Sequence, residues 1–298
     1  MTTSPPPAAR YSLAADEYLF VEVSEEMTLE AFFRALSITQ RLRELALPGL
    51  IEICPANASY QVRYDPDRIS AQTLIDTLEK LDAEVAARQR NTLTTRVVEV
   101  PVLYDDPWTR ETLMRFRDRH QDPSGTDLDY AAQINGLPDA EAFIAAHSGN
   151  PWFVSMVGFV AGLPFMYQMV PRERQLQVPK YLRPRTDTPK QTVGYGGCFS
   201  CIYSVRGAGG YQMFGITPMP IYDPSGQQPH IDASMIFFRP GDIVLHRAID
   251  RATYDRLDAE AKAGRFQPRV APFEFDLDAF SRDPDAVAEQ VKEVLHAH

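Results

Sequence analysis

Three residue types in this 298-residue chain could divide a reaction between them: His147 to move a proton, Arg185 to hold an anion and Gln212 to recognise an amide. His147 closes a helical segment. An imidazole that is neutral or cationic near pH 7 suits acid–base catalysis, although a helix-end histidine more often donates to backbone carbonyls. Residues 172–190, RERQLQVPKYLRPRTDTPK, carry four arginines and two lysines against Glu173 and Asp187. Such a loop is ordinarily solvated surface or a partner contact. As an anion site it would use Arg183 or Arg185, because guanidinium grips carboxylate or phosphate as a fork, and Arg185 is preferred because it lies nearer the glycine-rich segment. Gln212 follows Gly209 and Gly210 closely, and a carboxamide there can pair with the N–H and C=O of an amide, urea or lactam. Tyr167 and Tyr211 read individually as core or ladder residues. Tyr167 and the Gly209–Gly210 backbone complete the candidate substrate-binding set.

The elements that must position these groups converge on one window. Seven of the 16 glycines fall between Gly194 and Gly215, in GYGGCFSCIYSVRGAGGYQMFG, where Arg206 is the only charge. Glycine weakens a strand interior, so glycines repeated among aromatic and β-branched residues mark bulges, bends or a backbone that approaches a ligand. The window reads as a strand pair at the functional site. Cys198 and Cys201 in C-F-S-C would lie about 10 Å apart on opposite faces of a strand, too far for a disulfide. Zinc would need two further ligands, with His230 and His246 the only downstream histidines before the tail, so no metal is expected.

Composition narrows the classes. A net charge of −10 argues against nucleic acid as a partner, because a phosphate backbone repels an acidic surface without a segregated basic stripe. No apolar run approaches the roughly 20 residues of a membrane span, and MTTSPPPAAR lacks the apolar centre of a signal peptide. A cytoplasmic location away from membranes is expected. The chain has no G-x-x-x-x-G-K-[ST] loop, and GAGG at 207–210 does not join a strand to a helix. None of the five lysines, Lys80, Lys180, Lys190, Lys262 and Lys292, lies between methionines as a biotin-carrying lysine does. No cofactor is expected on this chain alone; ATP or biotin, if used, comes through another chain.

The pattern along the chain predicts an α+β protein. YLFVEV (18–23), LIEIC (50–54) and SYQVRY (59–64) read as strands, and 28–47 and 69–81 as helices, with Leu29, Phe32, Phe33 and Leu36 facing inward on the first and Leu74, Ile75, Leu78 and Leu81 on the second. With 96–104 as a possible last strand this makes a ferredoxin-like two-layer unit, unless that strand begins the next domain. Helices are expected at 106–120, 127–135 and 139–147. From Trp152 onward, short apolar runs punctuated by Gly and Pro predict an antiparallel barrel or sandwich. The expected organisation is a flexible arm (1–15), a small α+β domain (16–92), a β-barrel domain (93–250) and a helical tail (251–298).

From about Val98 to Asp250 the chain resembles the carboxyltransferase C/D-subdomain family, which includes the 5-oxoprolinase B-subunit, allophanate hydrolase subunit 1, the matching half of urea carboxylase and an inhibitor of a sporulation histidine kinase. The residues carrying the resemblance are VEVPVLY (98–104), GTDLDYAAQINGL (125–137), His147-Ser148, GFVAG (158–162), PRTDTP (184–189), IYSVRGAGGYQMFGITP (202–218) and RPGD (239–242). The resemblance implies a small domain followed by a cyclophilin-like barrel. It also implies one subunit of a heteromeric enzyme, completed by a homologous A/B-subdomain chain and a lactam-type amidohydrolase subunit. The expected activity is ATP-dependent hydrolysis of a 5-oxoproline-like lactam; the alternatives are biotin-dependent carboxyl transfer to a urea-type nitrogen and non-catalytic inhibition of a histidine kinase. The chain departs from the family pattern at Ala161, Leu163 and Phe165, where proline, phenylalanine and tyrosine are usual, at Lys190 and Gln191, and at Ile216, where arginine is usual. Residues 105–124 and the segment after about 265 read as additions.

Overall fold

The structure, a computed structural model, describes residues 8–88 and 90–297. The chain is a mixed α/β protein that divides into two compact units, the first running to Thr92 and taking in Asp276–Asp278, the second holding the remainder.

In the first unit, strands β1 (Arg10–Ala14), β2 (Tyr18–Glu22), β3 (Leu50–Pro55) and β4 (Ser59–Tyr64) form an antiparallel sheet of order β1-β2-β4-β3. Helix α1 (Leu29–Glu44) begins where the Thr28 hydroxyl accepts from Ala31 N–H, and buries the expected Leu29, Phe32, Phe33 and Leu36. In α2 (Ala71–Ala86), capped by Ser70, Leu74, Leu78, Leu81 and Val85 recur at helical spacing; they join Leu19, Val21, Ile38, Leu42 and Val62 in one core. Two expectations are corrected. The arm 1–15 contains strand β1, while residues 1–7 of that arm lie outside the described residues. The strand at 96–104 is not the last strand of this sheet; β1 occupies the edge next to β2. The reason is burial: β1 is largely exposed, which an edge tolerates, whereas Val97, Val98, Val100 and Val102 are fully buried and require cover on both faces.

The second unit is built on β5 (Thr92–Tyr104), followed by helices α3 (Pro107–Arg115), α4 (Asp127–Ile134) and α5 (Ala140–Ser148) and strands β6 (Trp152–Val157) and β7 (Pro164–Gln168). Then come β8 (Arg185–Thr188), β9 (Thr192–Gly196), β10 (Phe199–Ile202), β11 (Gly207–Gly209), β12 (Gln212–Ile216) and β13 (Ile243–Ala248). The C-terminal part holds α6 (Arg251–Lys262), β14 (Val270–Asp276), α7 (Leu277–Arg282) and α8 (Pro284–His296). The main sheet has the order β12-β9-β10-β7-β6-β13-β5-β14, and a further pairing of β12 with β5 closes it on itself. Closure runs through Gly215↔Tyr104 and Ile216↔Leu103. Strands β8 and β11 form a separate two-stranded sheet. Val100, Trp152, Val154, Tyr195, Phe214 and Val244 lie in the core of this unit.

Strand β14 corrects the expected helical tail. Pro272 within VAPFEFD lowers strand propensity, yet proline is tolerated on an edge, and β14 occupies the edge beside β5. Helix α3 is also shorter than expected: it stops at Arg115, and a single 3₁₀ turn, Arg117–Arg119, redirects the chain so that His120 enters the interior. No helix among the described residues is long and apolar enough to cross a membrane.

Barrel closure depends on one glycine. A Cβ on Gly215 would lie 2.4 Å from the Leu103 carbonyl oxygen, whereas one on Gly207 would meet nothing within 4 Å. Gly215→Ala is therefore expected to destabilise the protein by about 2 kcal/mol through forced strand separation, and Gly207→Ala to leave it nearly unchanged. Urea denaturation of both variants tests this; equal midpoints would show that closure is not limited at Gly215.

Candidate functional site

The structure gives most of the residues singled out by the sequence partners within the protein. His147, at the end of α5, is fully buried. The Tyr104 hydroxyl lies 2.7 Å from its Nδ1 and the Ser200 hydroxyl 3.2 Å from its Nε2, while Trp152 Nε1 donates to its carbonyl. Its ring stacks on His246 with centroids 4.6 Å apart. Burial, reinforced by His246, holds the His147 pKa well below the usual imidazole value, and burial pushes His246 down to about 3. A neutral imidazole enclosed in this way, with partners at both ring nitrogens, is not exposed to the cavity. The acid–base expectation for His147 is corrected to a core role. Tyr167 is also interior, its hydroxyl donating to Gln175 Oε1 at 2.9 Å.

Gln212 is buried, and both ends of its carboxamide are already engaged. Its Nε2 donates to the Pro179 carbonyl at 2.9 Å and to Gln121 Oε1 at 3.2 Å, and its Oε1 lies 2.9 Å from His120 Nε2. The Pro179 carbonyl fixes which end of the carboxamide donates, so Oε1 accepts from His120 Nε2, while His120 Nδ1 lies 2.7 Å from the Asp122 carbonyl oxygen and 2.8 Å from Asp122 N. Beside this pair sits Asp127, the first residue of α4, where a helix N-terminus favours negative charge. Asp127 accepts from Met213 N–H at 2.6 Å and from the Tyr181 hydroxyl at 2.7 Å. Burial pushes its carboxyl pKa up, opposed by those two hydrogen bonds and by the nearby His120 and Arg185. Sequence reasoning missed His120 and Asp127. His120 lies in a charged, turn-rich stretch, FRDRHQDPSG, that carries no signal of burial.

Gly209 and Gly210 do line a cavity, of about 410 Å³. Phe159, Leu163, Phe165, Tyr203 and Tyr211 supply its apolar walls, with Pro184, Cys201 and Lys180 around them. Leu163 and Phe165, two positions where the chain departs from the family pattern, are thus part of the wall. The glycine window has a concrete purpose here. A Cβ on Gly209 would fall 2.4 Å from the Tyr203 hydroxyl, and one on Gly196 would fall 2.4 Å from the Tyr211 ring. These glycines make room for the two tyrosines that wall the cavity. Phe159 is 68% exposed and holds a left-handed φ of 71°, a strained conformation for a bulky side chain. Burial pushes the Cys201 thiol pKa up, which disfavours the thiolate a nucleophile needs.

Arg185 stands behind this wall. It is fully buried, and its strand position pairs with Gly209. Its Nε reaches the Thr188 hydroxyl at 3.3 Å, and its guanidinium lies over the Tyr181 ring, 4.3 Å from the centroid. Among the described residues neither Nη atom has an acceptor in hydrogen-bonding geometry, although the Tyr181 and Tyr203 hydroxyls are close enough for it to depress their pKa values against the upward effect of burial.

A second groove, of about 580 Å³, includes Trp108, Arg115, Arg206, Ile216, Arg251 and Lys262 in its lining. Its cations are matched internally: Arg115 and Arg206 both pair with Asp187, Arg251 with Asp255 and Lys262 with Asp258. The hydrogen bond from Arg206, with help from Arg115, holds the Asp187 carboxyl down at about 2. The smaller cavity, walled by aromatic rings, with Lys180 at its edge and no acid among its described lining residues, is the stronger ligand site.

Fold and site together define a two-unit α+β protein with a closed barrel that carries a small aromatic pocket. Residues 9–231 match the family described as carboxyltransferase domain, subdomains C and D, and the chain belongs to that family. It is 26% identical over 274 residues to urea amidolyase from Lachancea kluyveri, covering 91% of this chain and 15% of that protein. It is 27% identical over 256 residues to the 5-oxoprolinase B-subunit from Bacillus subtilis, covering 83% of this chain and 95% of that protein. The crystal structure of the K. lactis urea amidolyase superimposes on all of this chain with a TM-score of 0.82 at 21% identity, using 18% of that molecule. The chain therefore spans about 15% of the length of the L. kluyveri urea amidolyase.

Proposed function

We propose that this chain is one subunit of a heteromeric, ATP-dependent lactam amidohydrolase acting on a 5-oxoproline-like ring, with the barrel cavity as its part of the substrate site. The observation that carries this reading is the cavity, whose size and aromatic walls, Tyr203 and Tyr211 packed against Gly209 and Gly196, suit a small ring. Similarity to the 5-oxoprolinase B-subunit along 95% of that protein supports it. In the reaction the lactam C–N bond breaks, one water supplies an oxygen of the new carboxylate and a proton to the amine, and a second water is consumed as ATP is converted to ADP and phosphate. The partners in this reading are an A/B-subdomain chain and a lactam-type amidohydrolase subunit, working in the cytoplasm. ATP is assigned to them, since Lys180 is the one cation among the described residues of the cavity lining, short of the donor set a triphosphate uses. We read the first unit as a ferredoxin-like fold whose last strand is replaced by β1, and the second as a cyclophilin-like barrel.

A second reading is carboxyl transfer from carboxybiotin to a urea-type nitrogen, favoured by the 26% identity to urea amidolyase. The test is ATP hydrolysis coupled to 5-oxoproline, measured for the chain alone and for the complex co-purified with its A/B partner and amidohydrolase subunit. Turnover is expected only from the complex. Turnover by the isolated chain would overturn the reading as one subunit among several, and a complex that responds to urea with carboxybiotin but not to 5-oxoproline would select the second reading.

A further inference from the structure

We infer that Lys180 and Arg185 make the barrel cavity selective for a ligand that carries a carboxylate, an inference that deepens the lactam reading and rests on it for the choice of probe. The argument is one of unmatched charge. Among the described residues, no acidic side chain lines the cavity. Lys180 is exposed at its edge, with its ammonium 5.2 Å from the centroid of the Tyr211 ring that forms a wall, and no ion pair to it is found among the described residues. Arg185, fully buried behind Tyr203 and Gly209, has two terminal nitrogens without acceptors. Asp127, the acid on which the Arg185 charge acts, already accepts from Met213 N–H and the Tyr181 hydroxyl.

A buried guanidinium whose terminal nitrogens lack good hydrogen-bond geometry is costly, and two cations beside an apolar pocket with no acid in its described lining favour an anion on an otherwise acidic protein. The two cations act differently. Lys180 reaches the ligand directly from the rim. Arg185 is a positioning residue: its charge polarises the Tyr203 hydroxyl toward the pocket, so Tyr203 donates to the carboxylate while Arg185 stays behind the wall. A ring bearing a carboxylate would place its apolar face against Phe165 and Tyr211 and its charge between Lys180 and Tyr203.

The experiment is calorimetric titration of the purified chain with 5-oxoproline and with its uncharged carboxamide. The acid is expected to bind about tenfold or more tightly than the amide, the gain typical of a charge-assisted contact. That ratio should fall toward one in Lys180→Gln and in about 0.5 M salt, where exposed charges are screened. Arg185→Gln, confirmed folded by circular dichroism, should lower the acid's affinity and leave that of the amide, with Arg185→Lys restoring part of the preference. Equal affinities for the two probes, an unchanged ratio in Lys180→Gln, or no binding of either probe would overturn the inference. A Lys180-dependent preference in a protein whose complex does not consume 5-oxoproline would leave the carboxylate site standing and remove the amidohydrolase. Lactam turnover with the same acid-to-amide KM ratio in wild type and Lys180→Gln would do the reverse.

Discussion

Taken from pH 7 to pH 5, the protein is expected to lose about 2 kcal/mol of stability through His246 alone, with His147 adding to the loss in the same direction. Both imidazoles are neutral in the folded state, His246 with its pKa pushed down to about 3 and His147 well below its usual value. In the unfolded chain each titrates near 6.5. Below that pH the unfolded state binds more protons, so stability present above about pH 6.5 is lost as the pH falls toward the folded values, at up to about 1.4 kcal/mol per unit for each histidine. Buried Asp106 and Asp127 act in the opposite sense, since burial raises their pKa values and they take up protons in the folded state first. His246→Phe isolates the effect, because among the described residues neither ring nitrogen of His246 has a hydrogen-bond partner to lose. Urea denaturation should show the loss between pH 7 and pH 5 reduced by about 2 kcal/mol in this variant; an unchanged pH dependence would place the acid sensitivity elsewhere.

Gln212→Ala is expected to cost about 3 kcal/mol of stability, because it strands the His120 Nε2 proton and the Pro179 carbonyl in the interior. This departs from the sequence expectation, in which the Gln212 carboxamide pairs with an amide, urea or lactam. A folded Gln212→Ala protein with wild-type stability and weakened 5-oxoproline binding would return the residue to the ligand. Wild-type affinity in the destabilised variant is the expected result.

The elements were largely legible because periodic burial leaves a direct trace. Leu74, Leu78 and Leu81 lie on one helical face whatever they pack against, and WFVSMV and QTVGY are apolar enough to require cover. Strands β1 and β14 were not legible: RYSLA is polar and mostly exposed, VAPFEFD contains a proline, and each is a strand because a neighbouring edge was open to it. The candidate site divided in the same way. The glycine window, with Gly209 and Gly210, was found from composition. Lys180 and His120 were not, since a lone lysine and a histidine among charged residues look like surface.

The sequence by itself determined the two-part α+β organisation, the glycine-rich strands and the family, because these rest on local propensity and on the order of motifs along the chain. Only the tertiary structure decided which polar groups remain available to a ligand. His147 and Gln212 are consumed by Tyr104, Ser200, His120 and Pro179, partners remote in sequence, while Arg185 is left with two unpaired nitrogens behind the cavity wall. Whether a polar side chain serves the core or a ligand depends on the hydrogen-bond partners that folding brings to it, and a pattern of residue types does not record those partners.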